Sequence, residues 1–353
     1  MKYLNRKVFI TLLSIFSYSY INAQQGQNII KSKIDSLLGA ETTKPFNGVV
    51  LVSQNRKNLY LKAKGYSNLE HKTLLKANDQ FISGSIAKQF TSVLVLQAYE
   101  KNLLALDVPI RKYLPELSQS WKDTITIRLL LNHTSGIEAL DKPTLFAPGT
   151  QFDYSHSTIT YDLLAKILEK LYHKSFAEIT AALFQKCGMK DTYHPDIKKY
   201  MKLTTPYTEN ENGQLNIETN SFMYSYAPAG GTFITTAVDL GKWNQLYFEG
   251  KLLKKNTMEQ LFAKQKNSVR NHPVFGLTEY GLGVTIHTSD NLLMVGQTGF
   301  VPGYVTENYY FPKNHVGVTV LSNVDYNSGG FKGSFRYHTA ILNIVRKYLQ
   351  YKK

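Results

Sequence analysis

The chain has 353 residues, 43% of them hydrophobic and 19% charged, which is enough apolar material for a substantial core in one large domain or two modest ones. Its formal net charge is +15, yet the 41 basic residues are scattered, with no arginine-rich tract and no nucleic-acid motif, so DNA and RNA are not expected partners. The single cysteine, Cys187, excludes an internal disulfide, and the nine histidines are dispersed with no His-Glu-x-x-His pattern; neither a metal nor another cofactor is expected.

Residues 1–23 read as a secretory signal peptide. Lys2, Arg6 and Lys7 form a basic start, Val8 to about Tyr20 is apolar, and Ile21-Asn22-Ala23 ends in a small residue where cleavage is expected. The apolar run is short for a membrane span, and nothing later in the chain approaches one. The expectation is a mature protein without a membrane span, secreted or periplasmic, occupying residues 24–353 as one domain.

Along the mature chain, Ile29, Ile30, Ile34, Leu37 and Leu38 mark an amphipathic helix over 27–39. Phe46 to Ser53 reads as a buried strand, and Asn55-Arg56-Lys57 turns it into a second strand over 58–65. Phe90, Val93, Leu94, Leu96 and Ala98 then predict a helix from Ser85 to about Tyr99. From about 101 to 225 the pattern changes to loops and helices, the strongest over Thr158–Tyr172 and Phe176–Phe184. Ala229-Gly230-Gly231 precedes a helix from Val238 to about Phe248, with Asp239 near its start. After 280 the period becomes two, predicting strands at 282–287, 291–297, 304–311 and 314–322 and a closing helix over 334–350. This order predicts an α+β fold: an antiparallel sheet assembled from both ends of the chain and flanked by N- and C-terminal helices. A sheet subdomain (about 27–95 and 226–353) would carry a mostly helical inserted subdomain (about 96–225).

The chemistry concentrates at Ser85 and Lys88, the chain's one Ser-x-x-Lys. Three apart on a helix, they share a face. A serine hydroxyl needs a base, and a lysine in so apolar a run can be one, because desolvation favours the neutral amine. The start of the helix also offers free N–H groups suited to an oxyanion.

Ser-x-x-Lys belongs to the motifs of β-lactamases and penicillin-binding proteins, and the chain resembles that superfamily of serine hydrolases, nearest its class C β-lactamase and DD-carboxypeptidase-like branch. The matching stretches, in the family's order, are Phe81–Phe90, Leu130-Leu131-Asn132-His133-Thr134-Ser135-Gly136-Ile137, Pro148–Ser155, Ala229-Gly230-Gly231 with Asp239 and Trp243, and Gln297-Thr298-Gly299-Phe300-Val301-Pro302-Gly303-Tyr304. The resemblance implies Ser85 as acylated nucleophile, Lys88 as its base partner and Tyr154 as proton shuttle. It implies backbone N–H groups of Ser85 and Phe300 as the oxyanion hole, and His156, Gln297, Thr298 and Gly299 as substrate-binding positions. His133 lies in what resembles a structural turn and is expected to be hydrogen-bonded there. Tyr66-Ser67-Asn68 also spells the family's Tyr-x-Asn, but it precedes Ser85, so it reads as structural.

Two positions depart from the pattern. His156 stands where the family usually has asparagine, and Gln297 where lysine or histidine helps hold a substrate carboxylate. Both changes spare the acylation residues and alter recognition, which argues against an efficient β-lactamase. The function expected is hydrolysis of an ester or amide (a D-amino-acid peptide, an ester or a β-lactam-like compound) through a Ser85 acyl-enzyme. The substrate would be a small molecule or a peptide such as a peptidoglycan stem. The alternative is a non-catalytic peptidoglycan- or peptide-binding protein on the same scaffold.

Overall fold

The computed structural model describes residues 27–197, 202–220, 227–289 and 291–351; the expected signal peptide lies outside the described residues. The described parts of Met1–Pro45 and Ala340–Lys353 form one compact unit, and Phe46–Thr339 forms the other. In the first unit, helix α1 (27–39) buries Ile30, Ile34 and Leu38 at the spacing of one helical face.

The second unit begins with strands β1 (Gly48–Gln54) and β2 (Lys57–Lys64). They are joined by Asn55 and Arg56 at φ 47° and 66°, the left-handed pair that suits a two-residue hairpin turn. Short strands β3 (Tyr66–Asn68), β4 (Thr73–Leu74) and β5 (Phe81–Ile82) lead to a 3-10 turn, Gly84–Ile86, and helix α2 (Ala87–Glu100). Helices α3 (Ile127–Leu131), α4 (Ser157–Tyr172) and α5 (Phe176–Lys186) follow, then strands β6 (Tyr207–Glu209), β7 (Leu215–Ile217) and β8 (Ile234–Thr235). Helices α6 (Ala237–Phe248) and α7 (Lys255–Phe262) precede the main run of strands. These are β9 (Val269–His272), β10 (Gly276–Tyr280), β11 (Thr285–Ser289), β12 (Leu292–Val301), β13 (Tyr304–Phe311) and β14 (Val316–Ser322). Strand β15 (Val324–Asp325) and helices α8 (Gly330–Ser334) and α9 (Arg336–Tyr351) close the chain.

Eight strands form one antiparallel sheet in the order β2-β1-β14-β13-β12-β11-β10-β9. The pairing of β1 with β14, Val50 opposite Val320, joins the two ends of the chain as the sequence predicts. Helix α6 lies on β1, β13 and β14. It is pinned by a reciprocal amide pair: Asn244 Nδ2 donates to Asn308 Oδ1 at 2.8 Å and Asn308 Nδ2 to Asn244 Oδ1 at 2.7 Å. Helix α2 touches α4 and α5 and is buried nearly all round, including Lys88, Gln89, Thr91 and Ser92, as befits a central helix. Trp243 Nε1 on α6 donates to Gln89 Oε1 on α2 at 2.9 Å, so the two helices are tied through buried polar groups. Among the described residues, no helix is long and apolar enough to cross a membrane.

The departures from expectation are local. The hairpin β9–β10 precedes the first strand predicted after 280; Val269-Arg270-Asn271-His272 contains one strong β-former and is half exposed, so it lacks a legible period. Helix α7 likewise falls where the sequence predicts no element, and the region expected to be helical contributes β6 and β7 to a small three-stranded sheet with β15.

One buried charge site tests the sheet. Glu307 on β13 stands between Thr298 and Val320, fully buried, and neither carboxylate oxygen meets a hydrogen-bond partner among the described residues. Burial pushes its carboxyl up to about 8, so the folded protein keeps a proton that the unfolded chain loses above its ordinary 4.5. Its stabilising effect is therefore complete below that ordinary value, falls by roughly 1.4 kcal/mol per pH unit, and is gone above the folded value. Glu307→Gln should raise the thermal unfolding midpoint at pH 8 and leave it nearly unchanged at pH 4; an equal shift at both would refute titration at this residue.

Candidate active site

Ser85 lies in the 3-10 turn at the mouth of α2, and the turn is pressed against β12. Two glycines make that approach possible. Gly84 has φ +54°, and a Cβ there would stand 2.5 Å from the Phe300 nitrogen; a Cβ on Gly299 would stand 2.2 Å from the Ser83 carbonyl oxygen. Thr306 Oγ1 on β13 donates to that same Ser83 carbonyl at 2.7 Å, and Ser83 N donates to Phe233 O at 2.8 Å, fixing the turn from both sides. The backbone of Phe300 is thereby brought beside the Ser85 turn.

Lys88 is the second residue of α2, one turn beyond Ser85, and is 1% exposed. Its Nζ lies 3.0 Å from Ser85 Oγ and donates to the Gly230 carbonyl at 2.6 Å. Burial lowers its pKa from the ordinary lysine value, and Arg270 lowers it further, against the raising effects of Tyr154 and Asp162. A neutral amine at this distance can accept the Ser85 proton.

Tyr154 arrives from the loop that follows Pro148-Gly149. Asp153 N donates to the His133 carbonyl at 2.8 Å and Gly149 N to the Thr134 carbonyl at 2.7 Å, so the turn at His133 anchors the segment. The Tyr154 hydroxyl accepts from Gln297 Nε2 at 2.7 Å, and Lys88 Nζ lies 5.0 Å from the centre of its ring. Burial alone would raise its pKa; the charges of Lys88 and Arg270, with a smaller effect of the neighbouring Ser85 hydroxyl, bring it below the ordinary phenol value. Ser85, Lys88 and Tyr154, read from three separate stretches of sequence, thus converge on one point.

The remaining predicted positions divide. Gln297 is fully buried, and its amide is committed: Nε2 donates to Tyr154 Oη at 2.7 Å and to Tyr280 Oη at 3.0 Å, while Oε1 accepts from Thr285 Oγ1 at 2.8 Å. Both donors of the Gln297 amide are thus engaged by tyrosines, one of them Tyr154. Thr298 faces His272. His272 Nδ1 accepts from Val274 N at 3.1 Å and Phe275 N at 3.4 Å, so the proton resides on Nε2, which donates to Thr298 Oγ1 at 3.0 Å. Burial, with Arg270 and His287, pushes His272 down to about 2, so the ring is neutral and the Thr298 hydroxyl hydrogen is free for another acceptor. His156, at the start of α4, is engaged by Asp153, with Nδ1 2.7 Å from Oδ2.

His133 corrects an expectation. It adopts φ 60° in its turn, as a structural motif would, but its ring is enclosed by Phe152, Tyr154, Tyr161 and Tyr280. Neither ring nitrogen meets a hydrogen-bond partner among the described residues. Burial, Lys88 and Arg270 hold it well below the ordinary histidine value, so it is neutral packing. Tyr66-Ser67-Asn68 forms β3, where Asn68 Nδ2 donates to Thr205 Oγ1 at 3.0 Å.

Two residues that sequence reasoning missed stand at the site, His272 and Arg270, both on β9. The Arg270 guanidinium carbon lies 3.8 Å from the centre of the Tyr154 ring. Beside the site, a cavity of about 490 Å³ is lined by Ile159, Asp162, Phe176, His194 and Ala229, the last adjoining the Gly230 carbonyl that binds Lys88. Asp162 is pushed up to about 6 there by burial, with Lys166 and Lys88 opposing.

Gln297→Leu should strand the two phenols it now serves and cost about 1–3 kcal/mol in denaturant unfolding, the penalty for buried groups left without partners. A loss below about 0.5 kcal/mol would show that Tyr154 and Tyr280 do not depend on it.

The chain is 26% identical over 322 residues to penicillin-binding protein 4* of Bacillus subtilis, covering 79% of this chain and 68% of that one. The D-amino acid amidase of Ochrobactrum anthropi SV3 is similar in fold, with a TM-score of 0.77 at 18% identity over 92% of this chain and 99% of that chain. The penicillin binding protein of Bacillus halodurans superposes with a TM-score of 0.72 at 21% identity, over 88% and 98% respectively. The beta-lactamase family model matches residues 40–341, a span that contains Ser85, Lys88, Tyr154, Gln297 and Phe300, and the chain belongs to the beta-lactamase family.

Proposed function

We propose that the protein is a serine hydrolase that cleaves an ester or amide through an acyl-enzyme on Ser85. The observation that carries this reading is the contact of Ser85 Oγ with a buried Lys88 amine beside the Tyr154 hydroxyl. In the acylation step the Ser85 hydroxyl proton passes to Lys88 or Tyr154 as Oγ bonds to the substrate carbonyl carbon. The carbonyl oxygen takes the electron pair and is met by the backbone N–H groups of Ser85 and Phe300. Collapse of this tetrahedral species breaks the bond to the leaving group, which receives the proton through Tyr154. Water then repeats the sequence and releases the acid.

The substrate class we favour is a D-amino-acid peptide, amide or ester, as the name of the amidase neighbour suggests for that protein. The class C and DD-carboxypeptidase-like branch fits this reading. Efficient β-lactam turnover is disfavoured, because Gln297 spends both donors on tyrosines and offers no charge to a β-lactam carboxylate. Export by the segment ending at Ala23 would bring the enzyme to peptidoglycan-like substrates.

Ser85→Ala should abolish labelling by a fluorophosphonate probe and lower turnover of an activated ester by about 10³-fold or more. Intact mass after brief exposure to benzylpenicillin should find any adduct only on the wild type. Equal ester rates in the two proteins would sink the acyl-enzyme, and ligand binding without labelling would favour the non-catalytic alternative.

A further inference from the structure

The Tyr154 ring carries a cation on its face that belongs to none of the motifs. Arg270 comes from β9, and its guanidinium carbon stands 3.8 Å from the ring centre. Among the described residues it makes no ion pair, and its Nη1 is buried without a hydrogen-bond partner. The side chain is half-buried, so the part of its charge turned to the Tyr154 ring is screened less than it would be in open water. On β12, meanwhile, Gln297 reaches the Tyr154 hydroxyl but is neutral.

We propose that Arg270 is a positioning residue whose uncompensated charge on the ring face keeps Tyr154 ready to take and return the Ser85 proton, a task that neutral Gln297 cannot perform from β12. The proposal rests on the reading of Ser85 as nucleophile with Lys88 and Tyr154 as proton-transfer groups. Lys88 can accept a proton only while neutral, and a neutral amine lends Tyr154 no Coulomb support. A guanidinium keeps its charge throughout the working range and stacks on aromatic faces. The attraction grows when the phenol ionises, since the ring then holds more negative charge.

The other groups around Tyr154 do not supply that charge. Ser85 and Lys88 face it from the turn and α2, His133 from its turn, Tyr161 from α4, Tyr280 from β10, Gln297 from β12 and Tyr309 from β13. His133 is held neutral, and burial keeps Tyr161, Tyr280 and Tyr309 as phenols. Asp162 on α4 acts on Lys88. Lys88 and Arg270 are the cations that lower the Tyr154 pKa against its burial, and Arg270 is the one whose charge does not come and go with the proton being moved.

The test compares wild type, Arg270→Met and Arg270→Lys by two readouts. One is the titration of Tyr154 followed by 13Cζ-tyrosine NMR, its signal assigned by loss in Tyr154→Phe. The other is kcat/KM against pH on p-nitrophenyl butyrate, which bears no carboxylate. Arg270→Met should raise the Tyr154 midpoint by about one unit or more and move the acid limb of the rate profile upward with it, since loss of a cation disfavours the phenolate. KM should change little, and Arg270→Lys should recover much of the shift. Arg270→Gln serves if the methionine variant does not fold. An unmoved Tyr154 midpoint in a folded, uncharged variant overturns the proposal. So does a defect confined to KM for carboxylate-bearing substrates, which would make Arg270 a substrate anchor instead. If the wild type turned over no ester or amide, the hydrolase reading would fall, while the NMR titration would still decide what Arg270 does to Tyr154.

Discussion

The site depends on one constraint: a primary amine, Lys88, is held out of water with no carboxylate partner among the described residues. An ammonium so placed is costly, and lowering its pKa is the natural relief. What remains is an amine with two N–H donors and one lone pair for an incoming proton. Gly230 supplies the carbonyl and Ser85 the hydroxyl. The Ala227–Gly231 turn must therefore pass close to α2, and Thr91 Oγ1 holds it there by donating to the Ala229 carbonyl at 2.7 Å.

A second constraint follows, because the serine must also meet the sheet. The backbone of the Ser85 turn and that of β12 approach more closely than side chains on Gly84 and Gly299 would permit. Strand β12 reaches that place in the interior of the sheet, flanked by β11 and β13, while the pairing of β1 with β14 closes the sheet across almost the whole chain. The local motifs are thus short, but their meeting depends on long-range register. The buried amides Asn244 and Asn308 lock that register to α6, and Trp243 passes the constraint to α2 through Gln89. The Asp239 carboxylate accepts from Asp191 N at 2.8 Å and Thr192 Oγ1 at 3.0 Å, tying α6 to the segment after α5. Motif residues that do no chemistry are therefore the braces of those that do.

Where apolar spacing was strong, the elements could be read in advance: α2, α4, α5, α6 and the strands after 280 lie within a few residues of expectation. The hairpin β9–β10 could not, for its side chains are largely exposed and its pattern has no clean period. With it were lost Arg270 and His272, whose meaning comes from the strand folding back over Tyr154 and Thr298. The same limit explains Gln297. A glutamine in a motif position suggests a neutral hand for a substrate, but two tyrosines distant in sequence had already taken its donors.

By itself, the sequence determined the covalent possibilities: a lone Ser-x-x-Lys at the start of an apolar helix, a tyrosine in the right order behind it, and an α+β chain whose strands open and close it. These follow from spacing along the backbone, which a linear chain records. The tertiary structure alone decided the electrostatics. That Lys88 is buried, that Gln297 serves Tyr154, that His133 is neutral packing and that Arg270 lies on a tyrosine ring all depend on which groups water is excluded from and which charges remain near. Burial and proximity are properties of the folded volume, and no local pattern encodes them.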